Sequence, residues 1–318
     1  MASKAQNPFE ADEYARLTGF DGKWRETWWR KDFLALITER VRVEDVERML
    51  DVGCGVGHWG RILSQVMPSG VLISGIDIES KFVERSIELG DAYGLQSMDY
   101  RVGYAEAIPY DNNWFDLVTC QTVLIHVKDP ASVLSEMIRV LKPGGTLILA
   151  EPNNLVGYLS LLLTEPRPEW SVVQELMDFY HTCLQGKREL GMGDSSIGDR
   201  LPGLVSGAGF CDVRVAINEN CPTLIPPYAP EEQKIECEFL KSCLSSGAWL
   251  GFGPRDNAER LFKAGNGKSD KFDALWSQTM SVQDAIQTAI MNQTYSGGRG
   301  AMMYVITAKK PVRSCDQI

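Results

Sequence analysis

Apolar positions in the middle of the chain fall into two alternating kinds of run. Short runs rich in apolar residues at roughly 48–52, 71–76, 115–120 and 146–150, three of them followed by Gly or an acidic residue, predict strands buried on both faces. A fifth, more polar run lies near Asp99–Val102. Between them, segments 58–66, 79–93 and 130–140 carry apolar residues at helical spacing; in the last, Val133, Leu134, Met137, Ile138 and Leu141 follow i, i+3, i+4. Strands alternating with helices predict a mostly parallel sheet covered on both faces.

The junction after the first strand is the most informative stretch. Met49-Leu50-Asp51-Val52 passes into Gly53-Cys54-Gly55-Val56-Gly57, three glycines spaced two apart. Glycine suits a turn there that needs positive φ and close approach to a ligand. Twenty positions beyond Gly57 the second apolar run ends at Asp77, where a carboxylate can accept from both hydroxyls of a ribose. Dinucleotide enzymes also combine a glycine turn with a downstream acid, but their spacing is G-x-G-x-x-G. Here Asp51 precedes a G-x-G-x-G turn, and its charge would repel a pyrophosphate and attract a ligand carrying an ammonium and a sulfonium. S-adenosylmethionine (SAM) is such a ligand.

Residues 49–152 resemble the class I SAM-dependent methyltransferases, particularly the ubiquinone/menaquinone-biosynthesis-like branch. The resemblance runs through Leu50–Gly57, Gly75-Ile76-Asp77-Ile78, Ile108–Val118, Leu124-Ile125-His126-Val127-Lys128-Asp129-Pro130 and Arg139–Leu147, in the family's order, and covers about a third of the chain. It implies a Rossmann-like seven-stranded α/β sheet with an antiparallel last strand. Ser195–Ala208 then suits a further core helix, Cys211–Ile217 strand 6 and Ala301–Ala308 strand 7. It implies SAM as cofactor, S-adenosylhomocysteine as product, and methyl transfer to an O, N or C atom of a small or medium-sized molecule. Transfer to a protein or peptide, a non-catalytic SAM-binding subunit and a nicotinamide dehydrogenase are the alternatives.

By the same resemblance, Asp51, Gly53, Cys54, Gly55 and Gly57 frame the methionine half of SAM, Asp77 holds the ribose, with a helix N-cap as its alternative and compatible role, and Ile78 packs on the adenine. Gly103-Tyr104-Ala105-Glu106 departs from the family, which commonly has Asp after this glycine. Either the backbone at Tyr104 and Ala105 reads the adenine edge or the Tyr104 ring or hydroxyl does, with Glu106 beside it. Gln121 lines the sulfonium end, by methionine contact or as wall. His126 is a general base or an architectural residue at the following helix start. An N-terminal arginine, Arg25 or Arg16, can pair with the SAM carboxylate. Tyr14, Trp28 and Tyr228 are candidates against the methyl acceptor, with packing in an amphipathic helix or a surface turn as the alternatives.

Composition narrows the partners. A net charge of −10 and a pI near 5.0 argue against nucleic acid. Lys309, Lys310 and Arg313 form a basic end that is expected to be solvated. The eight cysteines show no C-x-x-C pairing, which fits a reduced, cytoplasmic protein, and no His/Cys/Asp cluster has metal spacing. The longest apolar stretch, Leu155–Leu163, is too short to span a bilayer, so no membrane insertion is expected. The expected organisation is an N-terminal helical lid over 1–45, the cofactor-binding core over 46–152, a cap insertion over 153–194, a core helix and strand over 195–218, a second cap insertion over 219–300, and a last strand and tail over 301–318. Gly265–Ser269 is the expected mobile loop.

Overall fold

The apolar runs fold as the central strands of one sheet. β1 (Arg48–Val52), β2 (Leu72–Asp77), β3 (Met98–Val102), β4 (Phe115–Gln121) and β5 (Leu141–Pro152) lie parallel, joined in the order β3-β2-β1-β4-β5. The computed structural model describes residues 23–94, 98–219, 221, 223–298 and 302–312, and the chain divides into two compact units. Among the described residues, the sheet unit comprises those within Trp29–Pro152, Ile197–Glu219 and 303–312; the helical unit comprises those within 23–28, Asn153–Ser196 and 221–302. The segment expected as one N-terminal lid is therefore divided. α1 (Lys23–Glu26) falls in the helical unit and α2 (Lys31–Val41) in the sheet unit.

In the sheet unit, α3 (His58–Ser64), α4 (Ser80–Ala92), α5 (Pro130–Val140) and α8 (Leu201–Gly207) connect the strands, and β6 (Cys211–Ile217) and β9 (Met303–Lys309) complete the sheet of seven. β9 runs antiparallel to both neighbours, inserted between β5 and β6. Strand alternation sorts β1: Leu50 and Val52 join the core formed with α5 and α8, while Met49 and Asp51 face the side where Gly60 of α3 donates to Asp51. Val133, Leu134, Met137 and Val140 of α5 are fully buried, and burying such side chains stabilises by about 1.5–3 kcal/mol each. Asp129 caps this helix, accepting from the Ala131 and Ser132 amides at 3.1 and 3.4 Å, with Pro130 in the first turn.

The helix expected over 195–208 is shorter, because Asp194 accepts from the Ser196 amide in a turn and a 3₁₀ segment, Gly198–Arg200, precedes α8. The basic end is not solvated either. The Lys309 ammonium donates to Val41 O and Thr146 Oγ1 at 2.8 and 2.7 Å; Lys310 caps the end of α5 through Ile138 O and Leu141 O at 2.6 and 2.7 Å. Burial lowers both ammonium pKa values. Arg313 lies outside the described residues.

The helical unit contains α6 (Asn154–Leu162), α7 (Trp170–Glu189), α9 (Glu231–Ser245), α10 (Arg255–Ala264) and α11 (Phe272–Met291), with a small ribbon of β7 (Thr223–Leu224) and β8 (Gly297–Gly298). Its core is aromatic: Phe179 stacks on Trp249 at 4.7 Å and Tyr158 on Tyr180 at 4.5 Å. Two glycines let α7 and α10 nearly touch. A Cβ on Gly186 would lie 1.8 Å from Leu261 O, and one on Gly265 1.9 Å from Thr182 O. Within the segment expected as a loop, Gly265 is buried against α7 and Gly267 lies against the Phe262 ring, while Asn266, Lys268 and Ser269 are exposed. No helix among the described residues is long and apolar enough to cross a membrane.

Candidate functional site

The site forms at the carboxyl ends of β1 to β4, where open α/β sheets receive ligands. The turn after β1 has positive φ at Gly53, Gly55 and Gly57 (67°, 52° and 76°). Space as well as backbone angle requires glycine: a Cβ would meet Val123 Cγ2 at 2.4 Å from Gly53 and Tyr100 Oη at 2.6 Å from Gly57. The turn is tied to β2 by Cys54 N–H donating to Ile76 O at 2.9 Å and closed by Gly57 N–H donating to Cys54 O at 2.8 Å. Burial pushes the Cys54 thiol well up, so it stays protonated and acts as a small apolar side chain.

Two carboxylates flank the turn. Asp51 is fully buried, and its Oδ2 accepts from Gly60 N–H at 3.1 Å. Asp77, at the tip of the neighbouring strand, accepts from Gly55 N–H at 2.9 Å through Oδ2 and from Glu79 N–H at 3.0 Å through Oδ1. Burial raises its pKa, opposed by these two amides. Asp77 is not the cap of α4, whose preceding residue is Glu79. Ile78 projects beside it, 44% exposed. Gly103 N–H donates to Asp77 O at 2.9 Å and so brings Tyr104, Ala105 and Glu106 to the next strand end. Tyr104 is exposed, and its carbonyl accepts from Ala107 N–H at 3.1 Å. The loop that follows is clamped by Arg139, which donates to Ile108 O and Tyr110 O at 2.8 Å each, while Glu136 accepts from Ile108 N–H.

Gln121 ends β4 and, with period two, shares the face of Thr119, whose hydroxyl accepts from Trp59 Nε1–H at 2.8 Å. It is 6% exposed, and its Nε2 has no hydrogen-bond partner among the described residues; nor has the buried Trp29 Nε1, whose ring lies 4.9 Å from that of Trp59. A buried donor left unpaired costs about 1–3 kcal/mol. Two such donors on the side of the sheet that also holds the Asp51 carboxylate suit a ligand carrying both an anion and a cation. His126 is exposed at the end of the 3₁₀ turn Leu124–His126.

Arg25, Trp28 and Tyr228 belong to the helical unit. The Arg25 guanidinium is buried 4.9 Å from the centre of the Trp28 ring, Trp24 stacks on Phe239 at 3.6 Å, and Trp24 Nε1–H donates to Glu236. Tyr228 is buried, its hydroxyl donating to Tyr295 O at 2.8 Å. Tyr14 and Arg16 lie outside the described residues. No group of three or more possible metal ligands stands together among the described residues, and none of the seven described cysteines is paired.

Three residues near the site were not singled out from sequence: Tyr100, which fills the space beneath Gly57 and Gly75, Trp29, and Glu151 at the end of β5. Glu151 had a signal, since it closes an apolar run as Asp51 and Asp77 do.

Residues 44–201 match the model of a family described as a methyltransferase domain. The demethylmenaquinone methyltransferase of Oceanobacillus iheyensis is 32% identical over 183 residues, which span 52% of this chain and 73% of that one. The enzyme of the same name from Geobacillus stearothermophilus is 31% identical over 208 residues, 64% of this chain and 85% of that one. Among solved structures, a methyltransferase in complex with the Haloferax volcanii Trm112 methyltransferase activator superposes with a TM-score of 0.50 at 16% identity, covering 95% of this chain and 98% of that one. That likeness is one of fold.

Proposed function

The chain belongs to the class I SAM-dependent methyltransferases, in their menaquinone-like branch, and from that premise we propose that it binds SAM and methylates an O, N or C atom of a small or medium-sized molecule. The observation that carries this reading is the pair of acids, Asp51 and Asp77, at the ends of adjacent strands across a turn with no side chains at three positions.

In this reading Asp77 accepts from the ribose hydroxyls and Ile78 offers an apolar face to the adenine. Tyr104, Ala105 and Glu106 border its edge. Asp51 attracts the ammonium of the methionine end, and the N–H groups of Gln121 and Trp29 meet its carboxylate. Arg25 is a second candidate for that carboxylate, and Tyr14, Trp28 and Tyr228 are candidates for the acceptor. When bound, SAM supplies an electrophilic methyl carbon that passes to the acceptor's electron pair as the carbon–sulfur bond breaks and S-adenosylhomocysteine leaves. The protein's task is alignment, with reacting atoms held about 3–3.5 Å apart and water excluded. His126 is suited to take a proton from the acceptor, because imidazole exchanges protons near neutrality.

The relatives' names support a small acceptor, since both are named for a quinone. The test is calorimetric titration with SAM, followed by S-adenosylhomocysteine release with quinols, small amines and basic peptides offered in turn. Binding with release on small molecules is expected. Release on peptides alone would replace the acceptor class, binding without release in any extract would leave a non-catalytic subunit, and absence of binding would end the reading.

A further inference from the structure

Three strands of the sheet end in an acid: β1 in Asp51-Val52, β2 in Asp77 and β5 in Glu151-Pro152. The third behaves differently from the other two. Glu151 is fully buried, and its carboxylate faces the chain that leaves β4. Oε1 accepts from Val123 N–H and Leu124 N–H at 2.8 Å each and from the Cys120 thiol at 3.5 Å; Oε2 accepts from Ile125 N–H at 3.3 Å. The backbone donors are the amides at the head of the 3₁₀ turn, which have no carbonyl partner inside it. An ionised carboxylate can satisfy all of them, whereas a carboxylic acid carries a donor of its own and gives up acceptor capacity.

What this clamp holds is the wall of the site. Thr122, between Gln121 and the clamped amides, has φ +55°, a region that β-branched residues avoid unless the surroundings impose it. Thr122 N–H donates to Ala150 O at 2.9 Å, so the strained residue is pinned on one side by β5 backbone and on the other by the β5 carboxylate. Val123, held by its amide, lies so close over the glycine turn that a Cβ on Gly53 would come within 2.4 Å of its Cγ2. A continuous path therefore runs from the Glu151 carboxylate through Val123 to Gly53.

We propose that Glu151 is a positioning residue: its ionised carboxylate sets the loop after β4, and through Val123 the glycine turn, in the arrangement that receives the cofactor, so that protonation weakens cofactor binding. The affinity half of this proposal rests on the methyltransferase reading; the coupling between Glu151 and Gly53 does not. Burial pushes the Glu151 carboxyl up to about 7 against the pull of its four donors, which places the change within reach of ordinary buffers. The groups around it are the Cys120 thiol of β4 with Asp51 beyond it, His126 at the end of the clamped turn, Tyr304 opposite it on β9, and Asp199 and Arg200 in the 3₁₀ segment packed on β9.

The test follows the backbone amide resonances of Val123, Leu124 and Gly53 in ¹⁵N-labelled protein across neutral pH, without ligand, and measures SAM affinity by calorimetry at both ends of the range. The three amides are expected to move together through one transition near pH 7. It should vanish in Glu151→Gln and persist in His126→Gln. Wild-type affinity should fall about tenfold on acidification, the equivalent of one charge-assisted hydrogen bond, while Glu151→Gln stays near the acid-end value at every pH. The proposal is overturned by a transition that survives Glu151→Gln, disappears in His126→Gln or leaves Gly53 unmoved, or by wild-type affinity in Glu151→Gln. Should Glu151→Gln not fold, Glu151→Asp decides: a shorter carboxylate is expected to keep a transition at a shifted midpoint with intermediate affinity, and behaviour identical to wild type would refute positioning. A wild-type protein that shows the transition yet binds no SAM sinks the proposed function and the affinity half together, and leaves the coupling standing.

Discussion

The two units of the chain differ in where their buried polar groups gather. In the helical unit buried polar side chains largely serve the unit itself: Gln283 accepts from Leu250 N–H and donates to Ala248 O at 2.9 and 3.0 Å, and the Lys187 ammonium donates to Ser195 Oγ at 2.6 Å. Around them stacked rings supply the core. In the sheet unit Asp51, Gln121 and Glu151 are concentrated at one end of the strands, two of them carboxylates and one with a donor that meets nothing among the described residues. Burying such groups opposes folding unless they are paired. The helical unit also leaves buried atoms without a hydrogen-bond partner among the described residues, Trp249 Nε1 and Asn257 Oδ1; what sets the sheet unit apart is that its buried acids and amide gather at one set of strand ends, where such sheets receive ligands.

The largest expected effect tests the packing side of that contrast. Phe179 is buried between Trp249, Phe262 and Phe272, so Phe179→Ala should cost about 4 kcal/mol in denaturant unfolding, lost ring contacts plus cavity. A cost below about 1 kcal/mol would mean that the aromatic stack is loosely packed and that the comparison is drawn too sharply.

The next effect belongs to the sheet unit and concerns pH. The folded value of Glu151, about 7, lies above its ordinary 4.5, so on raising pH the unfolded chain loses this proton first. For this group the stability is greatest below about 4.5, falls as pH rises through the window to about 7, and is level above it. The total fall is at most about 3 kcal/mol. Glu151→Gln should remove that slope, measured as unfolding free energy on either side of the window. Thus the ionised form suits the loop while the protonated form suits the fold. A slope unchanged in the variant would assign it to another acid, Asp77 first, whose pKa is raised in the same direction.

Binding comes third. Asp77→Ala removes the acceptor proposed for two ribose hydroxyls, and at about 1.5 kcal/mol for each hydrogen bond to a charge the loss in SAM affinity is about a hundredfold. Calorimetry would show it, read well below the variant's own thermal transition, because alanine also removes the acceptor of Gly55 N–H and Glu79 N–H. Normal affinity would empty the proposed pocket.

Legibility from sequence divides along the same line. Strands β1, β2, β4 and β5 stood out because strands buried on both faces become short runs rich in apolar residues, and the glycine turn because only glycine fits against Val123 and Tyr100. β3 was fainter because it is an edge strand and carries Asp99 and Arg101, paired with each other. Glu151 was marked by the apolar run it closes, but its role escaped because its partners are mainly backbone amides brought in by β4, which leave no trace in residue identity. The helical unit offered aromatic composition without order: which ring meets which depends on helix crossings, and the crossing of α7 and α10 depends on Gly186 and Gly265, which look like a helix defect and a loop when read locally. Lys309 and Lys310 failed as a solvated end for a related reason, since their burial is decided by the partner strand and by the end of α5.

The smallest expected effect probes strain at the site. Thr122 holds φ +55° with its hydroxyl turned onto Gln121 O at 2.7 Å. Replacing it by glycine removes the side chain that this backbone region disfavours, so Thr122→Gly should gain about 1 kcal/mol in unfolding free energy, less what the more flexible unfolded chain takes back. SAM affinity should move the other way, because glycine keeps the backbone bond to Ala150 O but frees the φ and ψ of residue 122, which loosens the link between Gln121 and Val123. A variant that is both more stable and a better binder would show that the strain serves no purpose in positioning. The contrast between a unit built for packing and one built around its strand ends would then rest on Asp51, Asp77 and Glu151 alone.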